Sequence, residues 1–277
     1  MITGEAGTGK TTLIHAVLKE LQPHVKCALI FHTLFSAKGL FQNICKEFGL
    51  SILAGSKTDY VLQLHDFLRS QHEFARATKQ DANTVVILDE AHNLDSAILE
   101  EIRLLSNFEI EHKKLLQIIL AGQPELQATI KRPELRQLNQ RIGLRFSLRR
   151  FTPSETASYI AHRLRVAGLP DRRSVFHPRA LRRIHEHSEG IARRINVLCE
   201  NALVMGYVRG AEAVTEEIID QVKAEDFHGE MESAFETPNR HEPLWQTGRY
   251  AGRFFNRIEN LVESPPEQLV EQTASSA

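Results

Sequence analysis

Three short apolar runs along the chain have the length and composition of buried β-strands. They are Cys27–Phe31, Thr84–Leu88 and Leu115–Ala121. Apolar residues recur at helical spacing around four other stretches: Thr11–Leu21, Leu40–Phe48, Val61–Ala77 and Ser96–Phe108. Strands that alternate with helices predict an α/β domain, in which a parallel sheet is sandwiched by helices. We place this domain at residues 1–148.

After Arg149 the pattern becomes purely helical. The sequence TPSE at Thr152–Glu155 is a capping box with proline at the first helical position, and it starts an amphipathic stretch at Ser154–Ala167. Three more helical patterns follow: Pro178–Ser188, Arg193–Val208 and Glu216–Ala224, the last capped by Thr215. The sequence therefore predicts a small all-helical domain at residues 149–227.

The periodic pattern weakens from about His228. Residues 228–277 are rich in proline and acidic residues, which predicts a flexible acidic tail. One segment of it, Leu244–Val262, carries four aromatic side chains. Two interpretations of that segment stay open: a loosely packed part of the tail, which the composition favours, and a short docking helix.

The overall composition of the 277 residues excludes few functions. The chain is 42% hydrophobic and 25% charged, as globular proteins are, and its net charge is −1. The charge is unevenly distributed, because residues 131–194 hold 16 Lys and Arg against 5 Asp and Glu, whereas residues 211–277 hold 5 against 14. No apolar run approaches the roughly 18 residues that span a bilayer, and no signal peptide is apparent. The sequence predicts a soluble protein.

The three cysteines are too few and too scattered for a structural role. Cys27, Cys45 and Cys199 are odd in number and far apart. This pattern indicates reduced thiols in a cytoplasm, and it argues against both a disulfide framework and a zinc site.

A glycine-rich loop near the start of the chain predicts a phosphate-binding site. Gly4–Thr11 reads GEAGTGKT and fits the P-loop pattern GxxxxGK(S/T). Backbone N–H groups of such a loop surround phosphate oxygens, Lys10 reaches the β and γ phosphates, and the Thr11 hydroxyl binds Mg²⁺. The predicted cofactors are ATP and Mg²⁺. The predicted nucleotide-binding residues are Gly4, Glu5, Ala6, Gly7, Thr8, Gly9, Lys10, Thr11 and Thr12.

Polar residues follow two of the predicted strands. Asp89 and Glu90 end the run TVVILDE, where Asp89 would hold the Mg²⁺ shell with Thr11 and Glu90 would orient the attacking water. The alternative is that the two acids only cap a helix. Gln123 follows the next predicted strand, from which it can contact the γ-phosphate and the water. Its alternative is a simple turn at Gly-Gln-Pro.

Six motifs in this order resemble the AAA+ ATPases of the ExeA/GspA type, over roughly residues 1–227. They are GEAGTGKTT, LDEAHNL, LAGQPEL, LNQRI, ETASYIAHRL and GIARRINVLCENAL. The resemblance implies Walker A at Gly4–Thr11 and Walker B at Asp89 and Glu90. It implies further catalytic roles, for Gln123 as sensor 1, Arg141 as a finger acting on a neighbouring subunit and Arg193 as sensor 2. Ala192 replaces the proline that usually precedes this last arginine.

The same resemblance implies a function. Proteins of this type hydrolyse Mg-ATP and energise or assemble a bacterial export apparatus, for type II secretion, pili or exopolysaccharide. It further implies a homo-oligomer, ring or filament, in the cytoplasm at the periphery of the inner membrane. The alternative is a DNA-associated transposition ATPase of the TniB type, whose basic segment 131–194 would bind phosphates in a salt-dependent way. Because the resemblance favours export over transposition, a nucleic-acid partner is disfavoured, but this alternative stays open.

Two other classes fit the sequence less well. A DEAH-type RNA helicase would share the P-loop and Asp89–His92, but it needs a second RecA-like domain for which the chain is too short. A non-catalytic nucleotide-gated scaffold would not require Lys10, Asp89 and Glu90 together.

The chain departs from the family at both ends. Longer members carry a membrane helix and a peptidoglycan-binding module after the ATPase. Family members also have some tens of residues before the P-loop, whereas here only Met1–Thr3 precede it. Because strands usually have about 5–6 residues, we expect Met1 to be a fragment boundary or a misplaced start, with an incomplete ladder beside this strand. The alternative is a shortened strand that suffices.

Overall fold

The computed structural model describes residues 1–20, 25–31, 36–50, 55–78, 83–111, 113–170 and 174–226. These residues form two compact units, Met1–Arg150 and a second unit that begins at Phe151. The predicted tail at 228–277, including Leu244–Val262, lies outside the described residues.

The first unit alternates strands and helices. Its strands are β1 Ile2–Gly4, β2 Lys26–Ile30, β3 Thr84–Leu88, β4 Glu109–Ile110, β5 Lys113–Lys114, β6 Gln117–Gly122 and β7 Phe146–Leu148. Its α-helices are α1 Lys10–Glu20, α2 Ala37–Glu47, α3 Lys57–Thr78, α4 Ser96–Leu105, α5 Glu125–Ile130 and α6 Arg136–Arg141. Short 3₁₀ turns lie at Ala91–Asn93 and Pro133–Leu135.

Five of these strands form one parallel sheet in the order β2-β3-β6-β1-β7, while β4 and β5 pair as an antiparallel hairpin. The predicted parallel sheet is confirmed. Every residue of β3 is buried, as expected for an apolar strand between two neighbours in a sheet covered on both faces. A core of aliphatic side chains on one face includes Leu40, Leu64 and Leu99.

The strand before the P-loop is short but is paired on both sides. Ile2 and Thr3 pair with Ala121 and Gly122 of β6, and β1 pairs along its whole length with β7. The Thr3 side chain is fully buried, and its hydroxyl accepts a hydrogen bond of 2.6 Å from Gln127 Nε2. As expected from its length, β1 pairs with only the last two residues of β6.

Several short elements were not predicted, and some bounds were wrong. The strands β4, β5 and β7 and the helices α5 and α6 have at most six residues each, too few for a periodic signal. The strand predicted at Leu115–Ala121 begins only at Gln117 in the structure. Leu115 and Leu116 are buried just before β6, so their apolar side chains extended the predicted run. Helix α2 begins at Ala37, earlier than predicted, because the Ser36 hydroxyl caps it by accepting from the Gly39 amide.

The second unit is helical, as predicted. Its helices are α7 Pro153–Val166, α8 Pro178–Ser188, α9 Ala192–Val208 and α10 Glu216–Asp226. The predicted capping box is present, since the Thr152 hydroxyl accepts from the Glu155 amide and the Glu155 carboxylate accepts from the Thr152 amide. Buried aliphatic side chains on these helices, among them Ile160, Ile184 and Ile195, form a separate core.

Gly190 joins α8 to α9 in a position that only glycine fits. Its φ is +74°, and an added Cβ would lie 2.1 Å from the carbonyl oxygen of Phe151. We expect Gly190→Ala to lower the free energy of unfolding by roughly 3 kcal/mol or more, through backbone strain and this overlap together. The measurement is the thermal midpoint, which falls by roughly 2–4 °C per kcal/mol in a chain of this size.

Gly210 provides the matched control for that substitution. Its φ is +65°, but nothing lies within 4 Å of an added Cβ. Gly210→Ala should therefore cost only the backbone strain, about 1 kcal/mol. Equal losses in the two variants would show that the contact with Phe151 is unimportant.

Candidate active site

Three segments that carry polar residues leave adjacent strands at one edge of the sheet. The loop Glu5–Gly9 follows β1, Asp89 and Glu90 follow β3, and Gln123 follows β6, which lies between those two strands. The carboxyl ends of parallel strands meet at a common edge, which is where open α/β sheets bind ligands. The sheet order therefore brings these predicted residues to one side of the molecule.

The P-loop has the backbone of a phosphate-binding loop. Gly7 and Gly9 have φ values of +78° and +99°, which favour glycine, and α1 starts immediately afterwards at Lys10. The loop is braced inside by Thr8, whose hydroxyl donates to the Glu5 carbonyl oxygen at 2.8 Å. A Cβ on Gly4 would lie 2.8 Å from this same hydroxyl oxygen, so the loop also needs glycine at its first position.

Lys10 and the acid at the end of β3 are buried within this loop region. Lys10 is 5% exposed, and its Nζ donates to the carbonyl oxygens of Gly4 and Glu5 at 2.9 and 3.1 Å. Asp89 is 2% exposed, and its Oδ2 accepts a 2.7 Å hydrogen bond from the Thr11 hydroxyl. The two oxygens predicted to bind Mg²⁺ therefore converge from the start of α1 and the end of β3. Hydroxyl and carboxylate oxygens are ligands that suit this hard cation.

An arginine at the end of the first unit holds the outside of the loop. Arg150 Nε lies 2.9 and 3.1 Å from the two carboxylate oxygens of Glu5, and Arg150 Nη2 lies 2.7 Å from Glu5 Oε2. A forked arginine–carboxylate pair fixes orientation as well as distance. Glu5, predicted to bind nucleotide through the loop backbone, thus also anchors the loop through its side chain.

Glu90 has an unusual backbone conformation. Its φ and ψ are 53° and 32°, in the left-handed region that non-glycine residues rarely adopt, and its amide donates to Asp89 Oδ1 at 2.9 Å. Such strain costs about 1–3 kcal/mol and is concentrated at functional sites. The turn leaves the Glu90 side chain 43% exposed while Asp89 is buried, so the two neighbouring acids occupy different environments.

His92 is a residue of this site that sequence reasoning did not assign. Its ring lies between Glu90 and Gln123: Nδ1 is 3.4 Å from Glu90 Oε2 and accepts from the Gln123 amide at 3.3 Å. Its Nε2 lies 3.0 Å from Gln123 Nε2. The sequence signal is the last residue of DEAH at 89–92, which lies within the family motif LDEAHNL but has no role assigned from it.

The two predicted arginines, Arg141 and Arg193, are both exposed on helices. Arg141 is exposed at the end of α6, and its Nη1 donates to the Ser106 hydroxyl at 3.0 Å. Arg145, four residues further along the chain, donates to Asn139. Arg193 is exposed in the first turn of α9, in the second unit. The roles of Arg141 and Arg193 stay predictions.

Part of the basic segment 131–194 is neutralised inside the second unit. Arg183 pairs with both Glu186 and Asp220, and Arg179 pairs with Glu216. The hydrogen bond to Glu186, and next those to Asp220, raise the pKa of the Arg183 guanidinium. These ion pairs join α8 to α10 and offset part of the positive charge of the segment, while both arginines stay exposed.

The thiols of Cys45 and Cys199 have pKa values raised by burial. Burial raises the pKa of the Cys45 thiol to about 11 and of the Cys199 thiol to about 12, so neither is a thiolate at neutral pH.

Across the described ranges, no helix is both long and apolar enough to cross a bilayer.

Comparisons with known proteins agree with this geometry. Residues 1–130 match the family model described as an AAA domain. The chain is 36% identical over 250 residues to general secretion pathway protein A of Aeromonas hydrophila. That alignment covers 90% of this chain and 42% of the relative, so the chain spans less than half of the relative's length. The predicted resemblance is confirmed.

Solved structures share the fold at low sequence identity. The ORC2 protein of Aeropyrum pernix, in ADPNP–ADP complexes, has a TM-score of 0.62 and 21% identity, covering 81% of this chain and 61% of its own. Cdc6p of Pyrobaculum aerophilum has a TM-score of 0.64 and 16% identity, and the match covers 86% of this chain and 63% of Cdc6p. The RuvB branch migration motor of Thermotoga maritima has a TM-score of 0.53 and 20% identity, and the match covers 80% of this chain and 60% of RuvB. These likenesses confirm the predicted P-loop NTPase fold.

Proposed function

We propose that this chain, an AAA-type P-loop ATPase by family, hydrolyses ATP with Mg²⁺ at the sheet edge described above. The observation that carries the proposal is the 2.7 Å hydrogen bond between Thr11 and Asp89. It joins a P-loop hydroxyl to a buried carboxylate from another strand, next to Lys10 at the loop and Glu90 at the rim. This combination is the one that phosphoryl transfer from a Mg-nucleotide requires.

Each residue then has a definite task. The loop amides and Lys10 would bind the phosphates, while Thr11 and Asp89 would hold Mg²⁺, which neutralises charge on the phosphate oxygens when bound. Glu90 would accept a proton from the attacking water, and Gln123 would orient that water and the γ-phosphate. The Glu90 side chain is partly exposed and can contact a water molecule from solvent. Asp89 is buried, which suits a fixed ligand of the metal ion better than a proton acceptor for water.

We further propose that hydrolysis serves a bacterial export apparatus, as a homo-oligomeric component that works at the inner membrane. The identity of 36% to general secretion pathway protein A supports this assignment. No comparison reported above supports the transposition alternative, and two arginines that it would use, Arg179 and Arg183, are paired within the second unit.

The experiment compares Asp89→Asn with the wild-type chain in two settings. Purified wild-type protein should release phosphate from ATP only with Mg²⁺, and Asp89→Asn should slow release by at least about 10²-fold, because a buried charge at the site is lost. The same substitution at the host locus should abolish export. Asp66→Asn, on the exposed face of α3, is the matched control and should change neither.

Two results would contradict the proposal separately. Full activity of Asp89→Asn, with Mg²⁺ dependence unchanged, would remove Asp89 from the site. Normal export in a host whose Asp89→Asn protein is folded and inactive would leave an ATPase without a role in export.

A further inference from the structure

His92 is placed where it can act on two predicted catalytic residues at once. It lies in the 3₁₀ turn Ala91–Asn93, between β3 and α4, and its side chain is 13% exposed. Its ring touches Glu90, which follows β3, and Gln123, which follows β6. It is therefore a physical link between residues that leave two neighbouring strands.

The hydrogen bonds define the state of the ring. The backbone amide of Gln123 can only donate, so Nδ1 of His92, which receives it, carries the lone pair. Nε2 of a neutral ring then carries the hydrogen. Since the oxygen and nitrogen of a carboxamide are assigned from their partners, the side chain of Gln123 presents its oxygen to Nε2. With that orientation, both ring nitrogens are satisfied by Gln123.

A ring held in this way limits where Glu90 can go. Nδ1, an acceptor in this state, lies 3.4 Å from Glu90 Oε2, and two acceptors at that distance repel each other. While Gln123 holds the ring in this state, the ring offers the Glu90 carboxylate no hydrogen bond and disfavours a closer approach. If Gln123 turns toward a terminal phosphate, the ring loses its side-chain partner and the constraint on Glu90 changes.

The close approach of the two strand ends is built into the backbone. A Cβ on Gly122 would lie 3.0 Å from the backbone nitrogen of His92 and 3.4 Å from its Nδ1. Only glycine lets the end of β6 approach the turn this closely without displacement. The contact between Gln123 and His92 thus depends on the residue that precedes Gln123.

We propose that His92 is a positioning residue that couples the orientation of Gln123 to the placement of the Glu90 carboxylate. The inference rests on the proposed hydrolysis of ATP and adds a residue to it. His92 touches no nucleotide in this account. It acts on the attacking water only through Glu90 and Gln123, so its loss should affect turnover and spare ATP binding.

The test uses four variants and separates packing from hydrogen bonding. His92→Phe keeps a planar ring of similar size without nitrogens, and His92→Asn keeps an acceptor near the position of Nδ1. We expect His92→Phe to lower kcat by roughly 10–100-fold with KM for ATP within about 3-fold, because misplacing a catalytic group by about 1 Å costs about 10²-fold. His92→Asn should recover part of that loss. Gly122→Ala should lower kcat in the same way without removing any functional group.

The matched control is His65→Phe, on α3, where the ring packs edge-on against Phe108 at 5.4 Å. It should leave kcat unchanged. The fourth variant adds His92→Phe to Glu90→Gln, and it should be no slower than Glu90→Gln alone, since residues that act as a unit are not additive. The thermal midpoint of each variant is measured as well, and rates are compared at a temperature at which every variant is folded.

The outcomes distinguish this inference from the proposed function. If the wild-type chain does not hydrolyse ATP, the proposed function fails. If the wild type is active and His92→Phe retains its kcat, or if the loss multiplies with that of Glu90→Gln, only the role of His92 is overturned. An increase in KM with unchanged kcat would likewise overturn it.

Discussion

Replacing Glu90 with glutamine is expected to leave ATP binding intact and to slow hydrolysis by roughly 10²–10⁴-fold, the usual contribution of a general base. The substitution removes the proton acceptor and preserves the size of the side chain. We propose that Glu90 acts on the water rather than on bound phosphates, so only the transition state should lose an interaction. The measurements are nucleotide affinity by titration and phosphate release at saturating Mg-ATP.

Lys10→Ala should give the opposite pattern, with nucleotide binding itself lost. The buried Lys10 amine is held by the Gly4 and Glu5 carbonyl oxygens, at the loop that we propose binds phosphates. It should therefore contribute to ground-state binding. Controls are Glu125→Gln and Lys19→Ala, whose side chains are exposed on α5 and α1. Wild-type turnover in Glu90→Gln would contradict the assignment of Glu90.

The sequence was sufficient where one segment contains its own physical reason. The apolar run Thr84–Leu88 followed by Asp89 predicted a buried strand with a site at its end, and the structure has that strand with the same bounds. Likewise, Thr152 and Glu155 predicted their helix start because capping contacts join residues only three apart. Structure that depends on contacts between residues close in sequence can be predicted from the local sequence pattern.

The sequence was insufficient where contacts depend on strand order. The contact of His92 with Gln123 joins residues 31 positions apart, and it exists because β6 lies beside β3. No spacing along the chain predicts which strands become neighbours. The left-handed backbone of Glu90 was hidden for a related reason, since the surrounding turn imposes it against the preference of the residue. The three-residue β7 is defined only by its pairing with β1.

Strand order also bears on Arg141, the residue proposed to act between subunits. Helix α4 connects the parallel strands β3 and β6, so it must return toward the amino edge of the sheet. Arg141 contacts Ser106 at the end of α4, and its own helix leads into the start of β7. The P-loop lies at the carboxyl edge. Arg141 is thus placed away from the nucleotide site of its own chain and faces solvent.

We propose that an arginine in that position acts on hydrolysis at the site of another copy. We therefore expect Arg141→Ala to bind ATP normally and to lose roughly 10³–10⁵-fold in rate, the effect of an arginine finger. Arg132→Ala, an exposed arginine that precedes α6, is the matched control and should keep wild-type turnover. Activity of the wild type should also rise with protein concentration, because hydrolysis then depends on assembly.

Mixing two inactive proteins tests whether the arginine acts in trans. Arg141→Ala retains an intact nucleotide site, and Lys10→Ala retains an intact arginine, so a mixed interface can pair the two and restore part of the activity. A double variant carrying both changes on one chain should restore nothing when added to Arg141→Ala, because neither partner then supplies the arginine. If mixed oligomers form but activity does not recover, Arg141 does not act between subunits. Recovery with the double variant would show that the activity arises from assembly alone, without any contribution from the guanidinium of Arg141.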